Sequence, residues 1–401
     1  MNARVTLALA FVSLIVLLGV GVWAFQALTT DGSATDRDNS GGLFDSFFPF
    51  GNPFIPGDDT PLGGNNNGVT EGSAPTLRRI SNVPVAGATF YVVSTTSPVH
   101  VRYVERETGH IYQTPVDRLE STRLSLTTIP AVREALFTTG STTIMRVVSD
   151  SGAVDNFIST LRTITPDQSL VGSFLPQYDR IAVDKNKTFV GLTESSLGST
   201  LEMRIASGTD PKSVHASVIR SWIPLVAAGK VFVASAPASR LSGSVFEVRG
   251  SELIKVVGDA PGLMPMIDAG GTYIAYSTGS GSSLGLSVYD TSTDIEYRAP
   301  VGTLIPKCAF IPNAAPLMLC AIPSSIPVGE YPDDWLLGRV HTTDDLWYVD
   351  AVNGTVTAAA AFENAGPFDI TNLQVSNDGG YALFINKNDG MLWSTTLSPL
   401  P

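Results

Sequence analysis

The chain is short of charge, cysteine and histidine. Charged residues make up 15% of its 401 positions, against roughly 25% in an average globular protein. The balance of 25 basic and 37 acidic residues gives a net charge of −12, which argues against a nucleic-acid phosphate backbone as partner. Two cysteines are too few for a small disulfide framework. The four histidines, His100, His110, His215 and His341, show no metal-ligand spacing, so no metal site is expected. AAGK (227–230) lacks the upstream glycine of a phosphate loop, so no cofactor is expected either. GSSLG (281–285) fits a nucleophile-elbow pattern around Ser283, but it sits in a Gly/Ser-rich hairpin where that motif needs a strand-to-helix turn. Acid pairs such as Glu105 and Glu107 are common on a strand face. No catalytic residue is assigned.

What is present is Ser, Thr, Gly and Val, which favour strands and turns over helices. The exception is the N-terminus. Val5 to Leu28 carries no charge across 24 residues, enough for a helix of about 36 Å that crosses a bilayer core. Arg4 precedes this run and Asp31, Asp36 and Asp38 follow it. The positive-inside rule therefore places residues 1–4 in the cytoplasm and the rest outside, on a single-pass signal anchor over 5–28. A cleaved signal peptide is the alternative, with its small-residue site ending at Ala24; its apolar region would be shorter. Residues 29–75, rich in Gly, Asn, Pro and Asp, read as a disordered linker. Within the linker, LFDSFFPFGNPF (43–54) forms an aromatic island that reads either as a docking motif or as an idle patch.

From residue 76 to 401 the pattern changes to short β-type runs that recur. VHVRYV (99), TIMRVV (143), TFVGLT (188), VFVASA (231), YIAYST (273), LMLCAI (317) and YALFIN (381) start 44, 45, 43, 42, 44 and 64 residues apart. A second strand-like run follows each. A period of about 40–45 residues with about four strands per unit is the signature of a β-propeller blade. The expected fold is all-β: seven four-stranded blades, preceded by the transmembrane helix and linker.

DAGGTYIAYSTGSGSSLGLSVYD (268–290) and SNDGGYALFINKNDGMLWSTTL (376–397) resemble WD-repeat-like blades of the TolB-type propellers. They share a polar DG turn, an aromatic-rich strand and a closing strand that DLWYVDAVNG (345–354) repeats. The resemblance implies a propeller and a habit of binding partners. It brings no catalytic residues.

Three local expectations follow. TLRRIS (76–81) is expected to pair with GMLWSTTL (390–397) and close the ring. KCAFIPNAAPLMLCAI (307–322) reads as two strands around a turn, setting Cys308 opposite Cys320 as a candidate disulfide. The long step of 64 marks an insertion over 323–344, expected at the end of the ring that carries the blade-to-blade links. There Trp335, Asp333, Asp334 and Arg339 are candidates for ligand or partner binding. The other reading has Trp335 pinning the loop and Arg339 holding Asp334. Asp344, Asp345 and Asp350 read as blade punctuation.

Function at this stage falls into two classes. The first is a membrane-anchored, extracytoplasmic, non-enzymatic module that binds a protein, peptide or envelope polymer. The second is a propeller enzyme acting on glycans, which needs paired carboxylates beside aromatic platforms.

Overall fold

In the computed structural model of the chain, the described residues are 77–92, 98–118, 120–149, 152–161, 170–184, 188–362 and 365–401. The expected membrane segment and the linker lie outside them. Among the described residues no helix is long and apolar enough to cross a membrane.

The described chain forms seven four-stranded antiparallel sheets, each built from consecutive strands except the last. Blades 1 to 6 begin with Val85–Tyr91, Val132–Phe137, Arg180–Asp184, Trp222–Ala227, Met264–Ile267 and Cys308–Phe310. The seventh blade takes Ile370–Val375, Tyr381–Asn386 and Leu392–Thr396, and Leu77–Arg79 supplies its outer strand. The register is Leu77 with Thr395, Arg78 with Ser394 and Arg79 with Trp393. The two ends of the described chain thus share one sheet and leave no open blade edge between them. Arg78 adds a second tie: its guanidinium, buried, donates to the Pro115 carbonyl at 2.8 Å and to Thr114 Oγ1 at 3.1 Å in the first blade.

The recurring apolar runs are the second strands of the blades. Each is buried on both faces because it is sandwiched between neighbouring sheets. Alternation survives as a choice of neighbour. Val231 and Val233 pack toward the third blade, while Phe232 and Ala234 pack toward the fifth. Seven apolar clusters result, one at each blade-to-blade seam. Buried arginines tie the early seams. Arg102 bonds Gln113 and the Gly140 carbonyl; Arg146 bonds Glu134, Asn156 and the Tyr178 and Asp179 carbonyls.

Aspartates make many of the turns. Asp268 accepts from the N–H groups of Gly270, Thr272 and Tyr273 at 2.7–2.8 Å. Asp350 accepts from Asn353 N and Nδ2 at 3.0 and 2.7 Å. Ser283 opens a strand after the Gly281–Ser282 turn, so no strand-to-helix elbow surrounds it.

In every complete blade, the loop after the second strand and the link to the next blade lie at one end, termed the upper face here. The turns after the first and third strands lie at the lower face. Cys308 and Cys320 are cross-strand partners in the sixth blade and are joined by a disulfide, Cα–Cα 4.1 Å. Both lie in the apolar seam between the fifth and sixth blades.

Candidate functional site

The insertion of the sixth blade runs between Met318–Pro323 and Asp344–Asp350, at the upper face. Its backbone is tied down, although Val328 stands exposed. It lies across the fifth blade, where Gly279 has no room for a side chain: a Cβ there would come 2.5 Å from the Tyr331 carbonyl oxygen. Tyr331 N–H donates to the Gly281 carbonyl at 3.1 Å, and Gly329 N–H donates to Ser282 Oγ at 3.1 Å. Farther out, Asp333 accepts from Ser239 Oγ at 2.7 Å and from Ser239 N–H at 3.2 Å, so the loop reaches the fourth blade.

A helical turn, Asp333–Leu336, carries the sequence candidates. Asp334 accepts from Glu330 N–H at 2.8 Å and from Arg339 Nη1 at 3.1 Å, and these bonds hold its carboxyl below the usual carboxylate range. Arg339 is exposed. Trp335 is fully buried and packs with Tyr331 and Leu304. In this arrangement its indole orders the loop and presents no surface to solvent.

Beneath Trp335 lies a buried ion network that the sequence reading did not assign. Lys307 ends the short turn Ile305–Lys307 and precedes Cys308; its side chain has no exposure. Its ammonium donates to Asp344 Oδ2 at 2.5 Å, Asp369 Oδ1 at 2.6 Å and Thr342 Oγ1 at 2.8 Å, with the Ile370 carbonyl at 3.2 Å. Trp335 Nε1 donates to Asp369 Oδ1 at 2.9 Å, and Thr342 Oγ1 does so at 3.1 Å. Asp344 is therefore not blade punctuation but an ion-pair partner. Asp345 and Asp350 do serve the backbone, through Phe362 N–H and the Asn353 turn.

The two carboxylates are unequal. Burial pushes both upward. For Asp369 the Lys307 charge and the bonds from Lys307 and Trp335 prevail and hold it below the usual range. Asp344 has fewer donors, and its Oδ1 is buried without a hydrogen-bond partner, so burial prevails and its carboxyl is raised. At the rim, His341 Nδ1 faces Asp369 Oδ2 at 3.2 Å, with the side chain half exposed. The Lys387 ammonium lies 5.0 Å from the centre of the Trp335 ring, as that of Lys307 does at 5.1 Å. No carboxylate lies within ion-pair distance of Lys387 among the described residues. Burial lowers its ammonium below the usual lysine range, with Asp369 opposing and Lys307 adding to the shift.

The acids at this site are thus engaged with the protein; of the donors, His341 is half exposed, Arg339 is exposed but paired with Asp334, and Lys387 is half buried against the Trp335 ring. Chemically, the site can hold an acidic group. It does not set a free carboxylate opposite a second one. A separate cleft at the lower face, lined by Tyr273, Tyr297, Asp290 and Asp350, does bring acids and aromatics together. Both acids there are committed to turns, Asp290 through Ser292 and Asp350 through Asn353.

Lys307 and Asp369 had a signal in the sequence: each is a charged residue set directly before a buried strand, in LIPKCAF and GPFDI. Lys387 and His341 had none beyond their loops.

No family model and no curated protein matches the chain. Solved structures do. An oligogalacturonate lyase in complex with manganese is 12% identical with a TM-score of 0.50, covering 79% of this chain and 97% of its own. A GH74 xyloglucanase from Xanthomonas campestris is 14% identical with a TM-score of 0.52, covering 81% of this chain. The chain spans about half of that enzyme, 54%. The WD40 domain of Neurospora crassa Pan2 is 8% identical with a TM-score of 0.49, covering 80% and 96%. At these identities the likeness is one of fold, a β-propeller, and a fold by itself assigns no activity.

Proposed function

We propose that this chain is a membrane-anchored, extracytoplasmic binding module, without catalysis, that holds an acidic segment of a protein, peptide or envelope polymer at its upper face. The anchor is the uncharged run 5–28, with the ring displayed on the outer side. The site is the rim of the sixth and seventh blades, where Lys387, His341 and Arg339 meet the ligand. The observation that carries this reading is the division of labour in the ion network. Asp344 and Asp369 are occupied by Lys307, while among the described residues no carboxylate lies within ion-pair distance of Lys387, although its surroundings disfavour a bare ammonium. A ligand carboxylate completes that pairing with charge-assisted hydrogen bonds. Asp333, Asp334 and Trp335 act as positioning residues that keep the loop in place.

The alternative reading, an enzyme acting on envelope or extracellular glycans, draws on the lower cleft with its two tyrosines and two aspartates. Its acids are turn-forming, which favours the binding reading. The experiment is titration of the full chain in detergent with a fluorescent oligoglutamate peptide. Binding should weaken at least about tenfold in Lys387→Met, as expected for loss of one charge-assisted bond. It should be unchanged in Asp290→Asn, at the lower cleft. Equal binding by all three proteins contradicts the site. Cleavage of a polysaccharide that Asp290→Asn abolishes supports the enzyme.

A further inference from the structure

Three segments of the chain bring one amine and two carboxyl groups to a single buried point. Lys307 ends the link into the sixth blade, Asp344 opens that blade's third strand, and Asp369 immediately precedes the first strand of the seventh. None of the three side chains has any exposure. The Lys307 ammonium touches both acids, at 2.5 Å to Asp344 Oδ2 and 2.6 Å to Asp369 Oδ1. One acid suffices to neutralise a buried lysine, so the second adds surplus charge to a dry site. Asp344 Oδ1, moreover, is buried without a hydrogen-bond partner.

The two acids differ in their surroundings. Asp369 Oδ1 accepts from Trp335 Nε1 at 2.9 Å and from Thr342 Oγ1 at 3.1 Å, and His341 Nδ1 lies 3.2 Å from its Oδ2, so this carboxyl stays ionised. Among the described residues Asp344 has, besides Lys307, the Ile370 N–H at 2.8 Å from Oδ2, and burial raises its carboxyl. An ionised base, an acid that takes a proton and an amine between them are the parts of a condensation.

We propose that Lys307 and Asp344 condense to an intramolecular amide, with Asp369 as the base. The ammonium passes one proton along its bond to Asp344 Oδ2, which leaves a neutral amine against a carboxylic acid. The Nζ lone pair forms a bond to Asp344 Cγ, and the displaced electron pair goes transiently to Oδ1. Asp369 Oδ1 takes a second proton from Nζ and delivers it to Oδ2. The Cγ–Oδ2 bond breaks, Oδ2 leaves as water, and Oδ1 becomes the amide carbonyl oxygen. Asp369 ends as it began, and no other reactant is consumed. Holding the partners in contact gives the amine an effective concentration of roughly 10⁵–10⁸ M, and exclusion of water slows the reverse hydrolysis. The product removes an ammonium and the surplus carboxylate from the interior and turns the unpartnered Oδ1 into a neutral oxygen, which costs less to bury. No donor among the described residues meets Oδ1 while it carries the transient charge, so closure is slow. The freshly folded chain therefore holds the ion pair, and the amide forms as it ages. It ties the entry of the sixth blade to the end of the insertion, beside the Cys308–Cys320 disulfide.

The test uses the full chain, kept folded in detergent and sampled fresh and over days. The disulfide is reduced and capped before trypsin is added. Trypsin cleaves after Arg298, Lys307, Arg339 and Lys387, so the fresh chain yields 299–307 and 308–339 as separate peptides. In the aged chain Lys307 is blocked. Segment 299–339 should then appear joined to 340–387, lighter by one water than the two together, with fragment ions placing the bond on Asp344. Lys307→Met removes the amine and should give no joined peptide. Asp369→Asn keeps the shape without the base, and closure should slow by at least about a hundredfold. An aged, folded parent that trypsin still cleaves fully after Lys307 overturns the proposal, and this outcome needs no variant to fold. A joined peptide that forms equally in urea, one linked through Asp369, or closure of Asp369→Asn at the parent's rate overturns it too.

Discussion

Replacing Lys307 by Met removes the one charge that both buried carboxylates share. The aliphatic stem stays, so the packing around Cys308 and Trp335 is nearly conserved and the change is mainly electrostatic. Removing one member of a buried pair costs about 3–5 kcal/mol, because the remaining charge is left uncompensated. Two carboxylates are left here, which places the expected cost toward the upper end. For a ring of roughly 325 residues the unfolding entropy is on the order of 0.7 kcal/mol/K, so the melting temperature should fall by about 4–7 °C. The sign of the pH dependence separates this cause from a packing defect. In the variant, Asp344 and Asp369 lack the cation, and burial raises both above their unfolded values. Groups raised in this way favour the fold below the unfolded value, and that contribution is lost as pH rises through the folded one. In the parent, Asp369 is held low, so its contribution is present above the usual carboxylate range and is lost as pH falls. The gap between the two proteins must therefore narrow toward acid. Thermal melts of both, at one scan rate, near pH 7.5 and near pH 4.5, provide the assay. A gap of the same size at both pH values, or one below about 1 kcal/mol, refutes the reasoning.

Three further outcomes are expected. Deleting residues 76–81 removes the ladder to Leu392–Thr396, the buried Ile80 and the Arg78 bonds to the first blade; the melt should fall by on the order of 5 kcal/mol equivalent, and an unchanged melt means that other strands close the ring. Denatured, unreduced protein should show no reactive thiol, and Cys308→Ser with Cys320→Ser should lose about 2–3 kcal/mol for so short a loop; two labelled thiols rule the bond out. Asp333→Ala, which leaves Ser239 without its carboxylate, should cost about 1.5–3 kcal/mol and speed amide exchange across 324–343 while the blades stay protected; unchanged exchange shows that the tie to the fourth blade does not hold the loop.

The propeller was legible because its period is enforced by packing. Every second strand must be apolar on both faces, and this repeats near 44 residues whatever the turns do. The ring closure was legible for a related reason: TLRRIS had strand character and no blade of its own. The position of the insertion also followed from topology, since a loop after a second strand can only lie at the upper face. The partners of its side chains did not follow. Trp335 stood open between a ligand-facing anchor and a pin for its loop, because sequence shows the residue and not the fifth blade beneath it. The glycines at 262 and 279, which make room for the loop, had no local signature in a chain with 37 glycines. The ion network was hidden because its members come from a link, a third strand and another link, 25 to 62 residues apart. Only the ring closes those distances.

The most direct test of the binding claim is photo-cross-linking in the native membrane. A photoreactive residue replaces Arg339, at the upper rim of the sixth blade, or Asn353, at its lower turn. Light should produce a discrete adduct at 339 and none at 353, and protease added outside intact cells should remove both ring and adduct. Equal adducts from the two positions, or an adduct at 339 that external protease cannot reach, would contradict an upper-face binding module displayed outside the membrane.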